Sequence, residues 1–345
     1  MANGNKESYT PLSELGEFEL IERLTANFPL KQASSIVGVG DDAAVLENLH
    51  QQTLVTNDIL VEGVHFDLMY MAPAHLGFKA ISVNISDVVA MNARPTQVLV
   101  SMAISNRFGV EYIEKIYEGI RAACEHYEVD LVGGDTTSSF SGLMISVTAF
   151  GQAPEEDIVQ RSGAQETDLL VVSGDLGGAY LGLQILNREK EVFKETGAQP
   201  KLEGHEYVLQ RQLAPQARYD AVQTLAELGI KPTSMIDISD GLSSEVLHLC
   251  KQSNKGAHIY ESKIPIDPTV YKLCEELNLN TTTVALNGGE DYELLFTVSV
   301  HEHEKIETNP HFTVIGHMTA PGEGAHLITR DEQTITLKAQ GWNGF

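Results

Sequence analysis

Residues 76–92 read LGFKAISVNISDVVAMN. It is apolar over most of its length and stops short of Pro95. That pattern predicts a largely buried helix. Asp87 sits inside it, in a segment too apolar for a solvated face. A carboxylate there needs a partner, since burying it unpaired is costly. Asn84, three residues earlier, shares its helical side. Lys79 and Arg94 are the nearby cations in sequence. Asp87 is therefore either a salt-bridged or capping acid or a ligand for a metal ion.

Strands and helices are mixed on both sides of this segment. A short helix is expected over 17–28, ended by Pro29. Strand-like runs follow at Val37–Leu46, Thr53–Val61, Gln97–Ile104 and Leu143–Gln152. In 110–127, Ile113, Ile116, Tyr117, Ile120 and Cys124 fall at helical spacing. Leu131 and Val132 lead into a Gly-Gly turn. APEEDI (153–158) marks a domain boundary, giving domains 1–153 and 154–345. In the second half, strands are expected at Asp168–Ser173, 257–261, 292–300 and 312–317. SMIDISDG (234–241) reads as strand then turn. Helices are expected at GAYLGLQILN, 203–228 (broken near Pro215), LSSEVLHLC and 268–277. Neither half alternates regularly enough for one doubly wound sheet, so the class is α+β with two domains.

The chain has 345 residues, which favours two domains, each able to bury a core. Its formal charge is −25, from 23 Lys plus Arg and 48 Asp plus Glu. Such a field repels nucleic acid and anionic membranes, and no Lys/Arg run reverses it. It also repels nucleotides, unless cations bridge them to the carboxylates. Met1–Leu12 is polar without an apolar signal core, and no stretch nears the ~18 apolar residues of a spanning helix. Three scattered cysteines fit neither a disulfide framework nor a CxxC metal site. The cytoplasm is the expected compartment.

Six motifs set carboxylates beside glycine, serine or threonine: Gly38-Val-Gly-Asp-Asp42, Thr56-Asn-Asp58, Asn84-Ile-Ser-Asp87, Gly133-Gly-Asp-Thr-Thr137, Asp237-Ile-Ser-Asp-Gly241 and Gly288-Gly-Glu-Asp291. One such motif is an ordinary turn. Several, most of them at predicted strand ends, would present acids to a cleft. Mg²⁺ takes hard oxygen ligands, typically one or two carboxylates plus phosphate oxygens and water. Several Mg²⁺ ions around a polyphosphate would resolve the charge conflict. The 12 histidines show no HExxH spacing, there is no GxxxxGK[ST] and there is no GxSxG. Gly38-Val-Gly40-Asp-Asp-Ala43 imitates a dinucleotide fingerprint, but it sets two carboxylates where bare backbone N–H groups should meet pyrophosphate.

In order, GEF (16–18), GVGDDAAVL, TNDILVEGVHF, KAISVNISDVVAMNA, DLVGGDTT, RSGAQETDLLVVSGDLG, IDISDGL, GGEDYELLF, VIGHM and Gly341-Trp342 span nearly the whole chain. In this series the sequence resembles the thiamine-monophosphate kinase family, within the superfamily typified by aminoimidazole ribonucleotide synthetase. The resemblance implies an N-terminal domain that contributes its sheet to a β-barrel spanning a homodimer, flanked by helices. It implies a C-terminal α/β domain packed against it, with ATP and several Mg²⁺ in the cleft between. The implied reaction passes the γ-phosphoryl group of ATP to thiamine monophosphate.

By motif match, Asp42, Asp58, Asp87, Asp135, Asp237 and Asp240 are the implied Mg²⁺ ligands, with oxygens from Thr56 and Asn57. The resemblance also implies that Asp42, Asp58, Asp87 and Asp135 carry catalysis. The family pattern has Ser-Thr-Asp or Thr-Thr-Asp where this chain has Thr56-Asn57-Asp58. Tyr117, Gly134, Asp135, Arg161 and Ser239 are the implied nucleotide contacts, and His65, Glu290 and Trp342 the thiamine phosphate pocket. The residues alone leave Tyr117 open as a core side chain, Arg161 as a surface charge and Trp342 as a packing anchor. QRQLAPQAR (210–218) is assigned no catalytic role. Two other readings stand beside this one. One is a sister ATP-dependent synthetase of the aminoimidazole ribonucleotide or formylglycinamidine type. The other is a non-catalytic acidic protein that binds divalent ions.

Overall fold

The computed structural model describes residue 10 and residues 17–37, 39, 44–47 and 51–340. The chain divides into two compact units. The first comprises Met1–Ile85 and Pro95–Gln152, the second Ser86–Arg94 and Ala153–Phe345. The helix read from residues 76–92 thus contributes to both.

The first unit contains α1 (Glu17–Thr25), β1 (Ser35–Val37), β2 (Val45–Leu46), β3 (Gln52–Val61), α2 (Pro73–Ala90), β4 (Arg94–Ser105), α3 (Val110–His126), β5 (Asp130–Ser139) and β6 (Leu143–Ala153). β1 and β2 form a small antiparallel pair. The other four strands make one sheet in the order β3-β6-β4-β5. α2 begins at Pro73, whose fixed φ and missing N–H suit the first helical position. Every residue of 80–90 is buried except Asp87, which is half-buried. The predicted apolar helix is therefore covered on all sides, with one polar opening. On α3, Ile113, Ile116, Tyr117, Ile120 and Cys124 form the inward stripe.

The expected Gly133-Gly134 turn is not a turn. β5 runs straight through it and pairs in parallel with β4, Val100 opposite Gly134 and Ser101 opposite Asp135. A Cβ on Gly134 would lie 1.8 Å from the Val100 carbonyl oxygen. Glycine is thus required here by strand-to-strand approach. Periodicity cannot distinguish that from a turn.

The second unit contains β7 (Leu169–Ser173), α4 (Gly178–Thr196), α5 (Glu206–Leu213), α6 (Tyr219–Glu227), β8 (Ser234–Asp237), α7 (Leu242–Ser253), β9 (Gly256–Tyr260), α8 (Pro268–Glu276), α9 (Thr281–Asn287), β10 (Leu294–Val298), α10 (His303–Glu307), β11 (Phe312–Thr319), β12 (Ala325–Ile328) and β13 (Thr334–Thr336). Seven strands form a mixed sheet in the order β13-β12-β9-β11-β7-β10-β8. All five residues of β7 and of β10 are buried, as expected of central strands covered on both faces. One core joins Leu170, Val172, Ile236, Leu295 and Ile315 of the sheet to Leu242, Val246 and Leu249 of α7. This sheet fixes the loops that carry the acidic motifs of the second unit. No described helix is long and apolar enough to cross a membrane.

Candidate active site

In the first unit the acids lie within strands. Asp58 is exposed near the middle of β3 and Asp135 is exposed in β5. The expectation that they sit at strand ends therefore fails for these two. Both are on the outer strands of the sheet, where alternate side chains face outward without needing a turn. The Asp58 backbone N–H donates to Asn84 Oδ1 at 2.9 Å, and Asn84 Nδ2 donates to the Ala80 carbonyl at 3.0 Å. Asn84 thus ties α2 to the strand that carries Asp58. The Asn57 side-chain amide donates to the Val147 carbonyl and to Thr148 Oγ1 of β6, at 2.8 and 2.9 Å. Thr56 is half-buried beside it.

His65 follows β3. Its Nδ1 accepts the Val61 backbone N–H at 3.0 Å. That bond fixes the neutral ring as the tautomer with its proton on Nε2, a donor. Tyr117 is buried, its ring edge-on to Phe28 at 6.3 Å, and burial pushes its hydroxyl pKa up to about 12. Its packing is that of a core residue. Asp42 and Trp342 lie outside the described residues.

In the second unit the two late motifs are stitched together. Glu290 N–H donates to the Ser239 carbonyl at 2.7 Å, Tyr292 N–H to the Ile238 carbonyl at 2.9 Å, and Ile238 N–H to the Glu293 carbonyl at 2.7 Å. Gly289, Glu290 and Tyr292 all adopt left-handed backbone, with φ of 70°, 57° and 51°. For the two non-glycines this costs of order 1 kcal/mol each and persists only where the surroundings enforce it. A Cβ on Gly289 would press to 2.8 Å from the Ser239 carbonyl oxygen. Asp237, Ser239, Asp240 and Glu290 therefore sit on one interlocked pair of loops at the ends of β8 and β10.

Asp237 is buried and accepts the Ser86 hydroxyl at 2.6 Å. Burial raises its pKa first, and the neighbouring Asp87 carboxylate raises it further; the Ser86 bond and the Arg161 charge act against them. Glu245, in the first turn of α7, is 2% exposed. Its Oε1 accepts the Asp240 backbone N–H at 3.1 Å, and its buried Oε2 has no hydrogen-bond partner among the described residues. Burial pushes its pKa up to about 8. Asp291 is also buried, and its pKa rises to about 6 despite the Arg211 charge.

The sequence reading missed the cations that hold this region. Glu293 is 1% exposed and accepts Arg211 Nη1 at 2.6 Å, Ser173 Oγ at 2.6 Å, and Arg218 Nη1. Asp291 accepts the Gly177 N–H at the start of α4 at 2.8 Å. Arg211 and Arg218 both come from QRQLAPQAR. The signal was their placement: two guanidiniums in one short segment of a chain poor in cations.

Raised carboxyl pKa values have a defined sign in stability. The folded state holds protons that the unfolded chain gives up near pH 4. Their stabilisation is complete below that range and is lost as pH rises through about 6 for Asp291 and about 8 for Glu245. Growing self-repulsion of an acidic chain acts in the same direction. The melting temperature in EDTA should therefore fall steadily from pH 5 to pH 9. A melting temperature that rises over that range would contradict the assignment.

The candidate donors within each unit are hard oxygens, and in the second unit Asp237 is buried against the like charge of Asp87. This chemistry fits Mg²⁺. Among the described residues no three His, Cys, Asp or Glu side chains are spaced to enclose an ion by themselves. Mg²⁺ needs no such cage when phosphate oxygens and water complete its shell.

Residues 40–153 match the AIR synthase related protein, N-terminal domain, and residues 165–328 match the corresponding C-terminal domain. The thiamine-monophosphate kinase of Aquifex aeolicus is 36% identical over 336 residues, covering 97% of this chain and 99% of that protein. A solved structure of AaThiL complexed with AMPPCP and TMP superposes with a TM-score of 0.75 at 35% identity, covering 98% of this chain and 100% of that one. The thiamine-monophosphate kinase structure from Stenotrophomonas maltophilia gives a TM-score of 0.78 at 31% identity, covering 93% and 98%. On both family domains and near full-length likeness, this chain belongs to the thiamine-monophosphate kinase family, built on the two AIR synthase related domains.

Proposed function

We propose that the protein transfers the γ-phosphoryl group of ATP to the phosphate of thiamine monophosphate, giving thiamine diphosphate and ADP, the last step of thiamine diphosphate synthesis. The observation that carries this reading is the interlocked loop pair, where Asp237, Ser239, Asp240 and Glu290 meet on one rigid support. The full-length likeness to thiamine-monophosphate kinases supports it.

The acceptor is already an ionised phosphate, so no strong general base is needed. Catalysis becomes positioning and charge neutralisation. Mg²⁺, when bound, supplies that neutralisation between two phosphate groups that repel. Asp42, Asp58, Asp87, Asp135, Asp237 and Asp240 would hold the ions, with Thr56 and Asn57 adding oxygens. Asn57's side-chain amide is engaged with β6, which leaves its backbone carbonyl as the better donor. Gly134 and Ser239 offer backbone close to the nucleotide, and Arg161 a guanidinium fork for its phosphates. Tyr117 borders the nucleotide from its buried position. His65 donates from Nε2 to the acceptor phosphate, since Val61 occupies Nδ1. Glu290 and Trp342 complete the thiamine pocket.

We also infer domains at 1–153 and 154–345, with ATP in the cleft that both supply, and a homodimer sharing a barrel. Val55, Ile59 and Met144 on β3 and β6 are exposed, and Phe140 fully so, which supports a covered face. Three free, buried cysteines support work in the cytoplasm.

The test is to incubate the protein with ATP, Mg²⁺ and thiamine monophosphate and to follow thiamine diphosphate by chromatography. Product that disappears with EDTA is expected. Bound ATP with no transfer to thiamine monophosphate would overturn the reading.

A further inference from the structure

We propose that Gln212 is a positioning residue for the substrate loop, acting through Glu290. This rests on the reading of Glu290 as part of the thiamine phosphate pocket. Gln212 lies on α5, in the segment to which the sequence assigns no role, and is 3% exposed. Its Nε2 donates to Glu290 Oε2 at 2.7 Å. The preceding residue, Arg211, donates to the Asp291 carbonyl at 3.2 Å and to the Glu293 carboxylate at 2.6 Å. Two successive residues of one helix thus grip three of the four residues from Glu290 to Glu293.

The grip has work to do. Glu290 and Tyr292 stand in left-handed backbone, a conformation that non-glycine residues leave unless held. The backbone bonds to Ser239 and Ile238 fix where the loop runs. They do not fix the Glu290 side chain, which has several rotatable bonds. The Gln212 amide selects one setting of that carboxylate. A group held by a buried donor meets its ligand without first losing rotamer freedom, and that gain appears as affinity. The helix that carries Gln212 is itself anchored by the Arg211–Glu293 ion pair, so the setting is referred to the core of the second unit.

The test compares the wild type with Gln212→Leu, Glu290→Ala and the double variant. Initial rates are measured against thiamine monophosphate and, separately, against ATP. Ordering one rotamer-rich side chain on binding costs roughly 2- to 10-fold in affinity. Gln212→Leu is therefore expected to raise KM for thiamine monophosphate by about that factor, with KM for ATP unchanged. In the Glu290→Ala background it should add nothing, because Gln212 then has no carboxylate to position. A purely structural role would move both KM values and persist in the double variant, and either result overturns the inference. Should Gln212→Leu melt far below the wild type, Gln212→Asn keeps the amide but shortens its reach, and wild-type kinetics from it would overturn the inference equally. A wild type that binds ATP yet leaves thiamine monophosphate untouched overturns the reading itself. An active wild type with an indifferent Gln212 overturns only the inference.

Discussion

Asp87→Asn should lower turnover by about 100- to 1000-fold, the usual loss when one preorganised charge-stabilising group is removed, with the fold left intact. Asparagine keeps the size of the side chain and its place on α2. It removes the charge that Asp87 directs at Asp237. Asp87 is the one residue between 80 and 90 that is not buried, so the substitution leaves the apolar packing of α2 in place. Relieved of a like charge, Asp237 returns toward the ordinary carboxylate range. The variant should therefore melt in EDTA at the same temperature as the wild type or higher. An acid retained for folding would behave in the opposite way. The measurement is thiamine diphosphate formation at saturating ATP and Mg²⁺, paired with a melting curve in EDTA. Full activity would refute the catalytic role of Asp87, and an inactive variant that melts early would assign the residue to folding.

Helix α2 was legible because its signal is local. An apolar run, a following proline and one misplaced acid suffice, and the observed Pro73–Ala90 differs from the reading only at its ends. The helix expected over GAYLGLQILN continues to Thr196, through the polar stretch REKEVFKET, and ends at left-handed Gly197. An exposed continuation carries too little apolar periodicity to extend a prediction. α9 and β13 are too short, at seven and three residues, to carry a readable period. The Gly133-Gly134 misreading has another cause: the close approach to Val100 is a tertiary fact with no local signature. The acids of the site were legible as residue types beside glycine. Their supports were not. Ser86 looks like any serine on a helix until Asp237, 151 residues away in sequence, is set against it. The pairing of the Ile238 and Glu290 loops is likewise invisible without the β8–β10 ladder that aligns them.

Arg211→Met should destabilise the second unit by about 3–5 kcal/mol, the range for removing one partner from a buried ion pair. Methionine retains much of the aliphatic stem, so the loss is mainly of charge and hydrogen bonds. Arg211 bonds Glu293, the Asp175 carbonyl and the Asp291 carbonyl, and pairs with the Asp291 carboxylate at 3.6 Å. Burial alone would weaken its charge, but Glu293, Asp291 and Asp175 outweigh that and hold the guanidinium more firmly protonated than usual. Without it, Glu293 still has Arg218, whereas Asp291 loses the cation that restrains its pKa. Its folded pKa then rises further above the unfolded value. A raised carboxyl stabilises the fold below the unfolded pKa and loses that contribution as pH rises through the folded pKa. The penalty of Arg211→Met should therefore be smaller at pH 5, where Asp291 can take a proton, than at pH 8. Urea unfolding at the two pH values reads this difference directly. An equal penalty at both would mean that Arg211 acts through its bonds to Glu293 and the two carbonyls, and not by restraining Asp291.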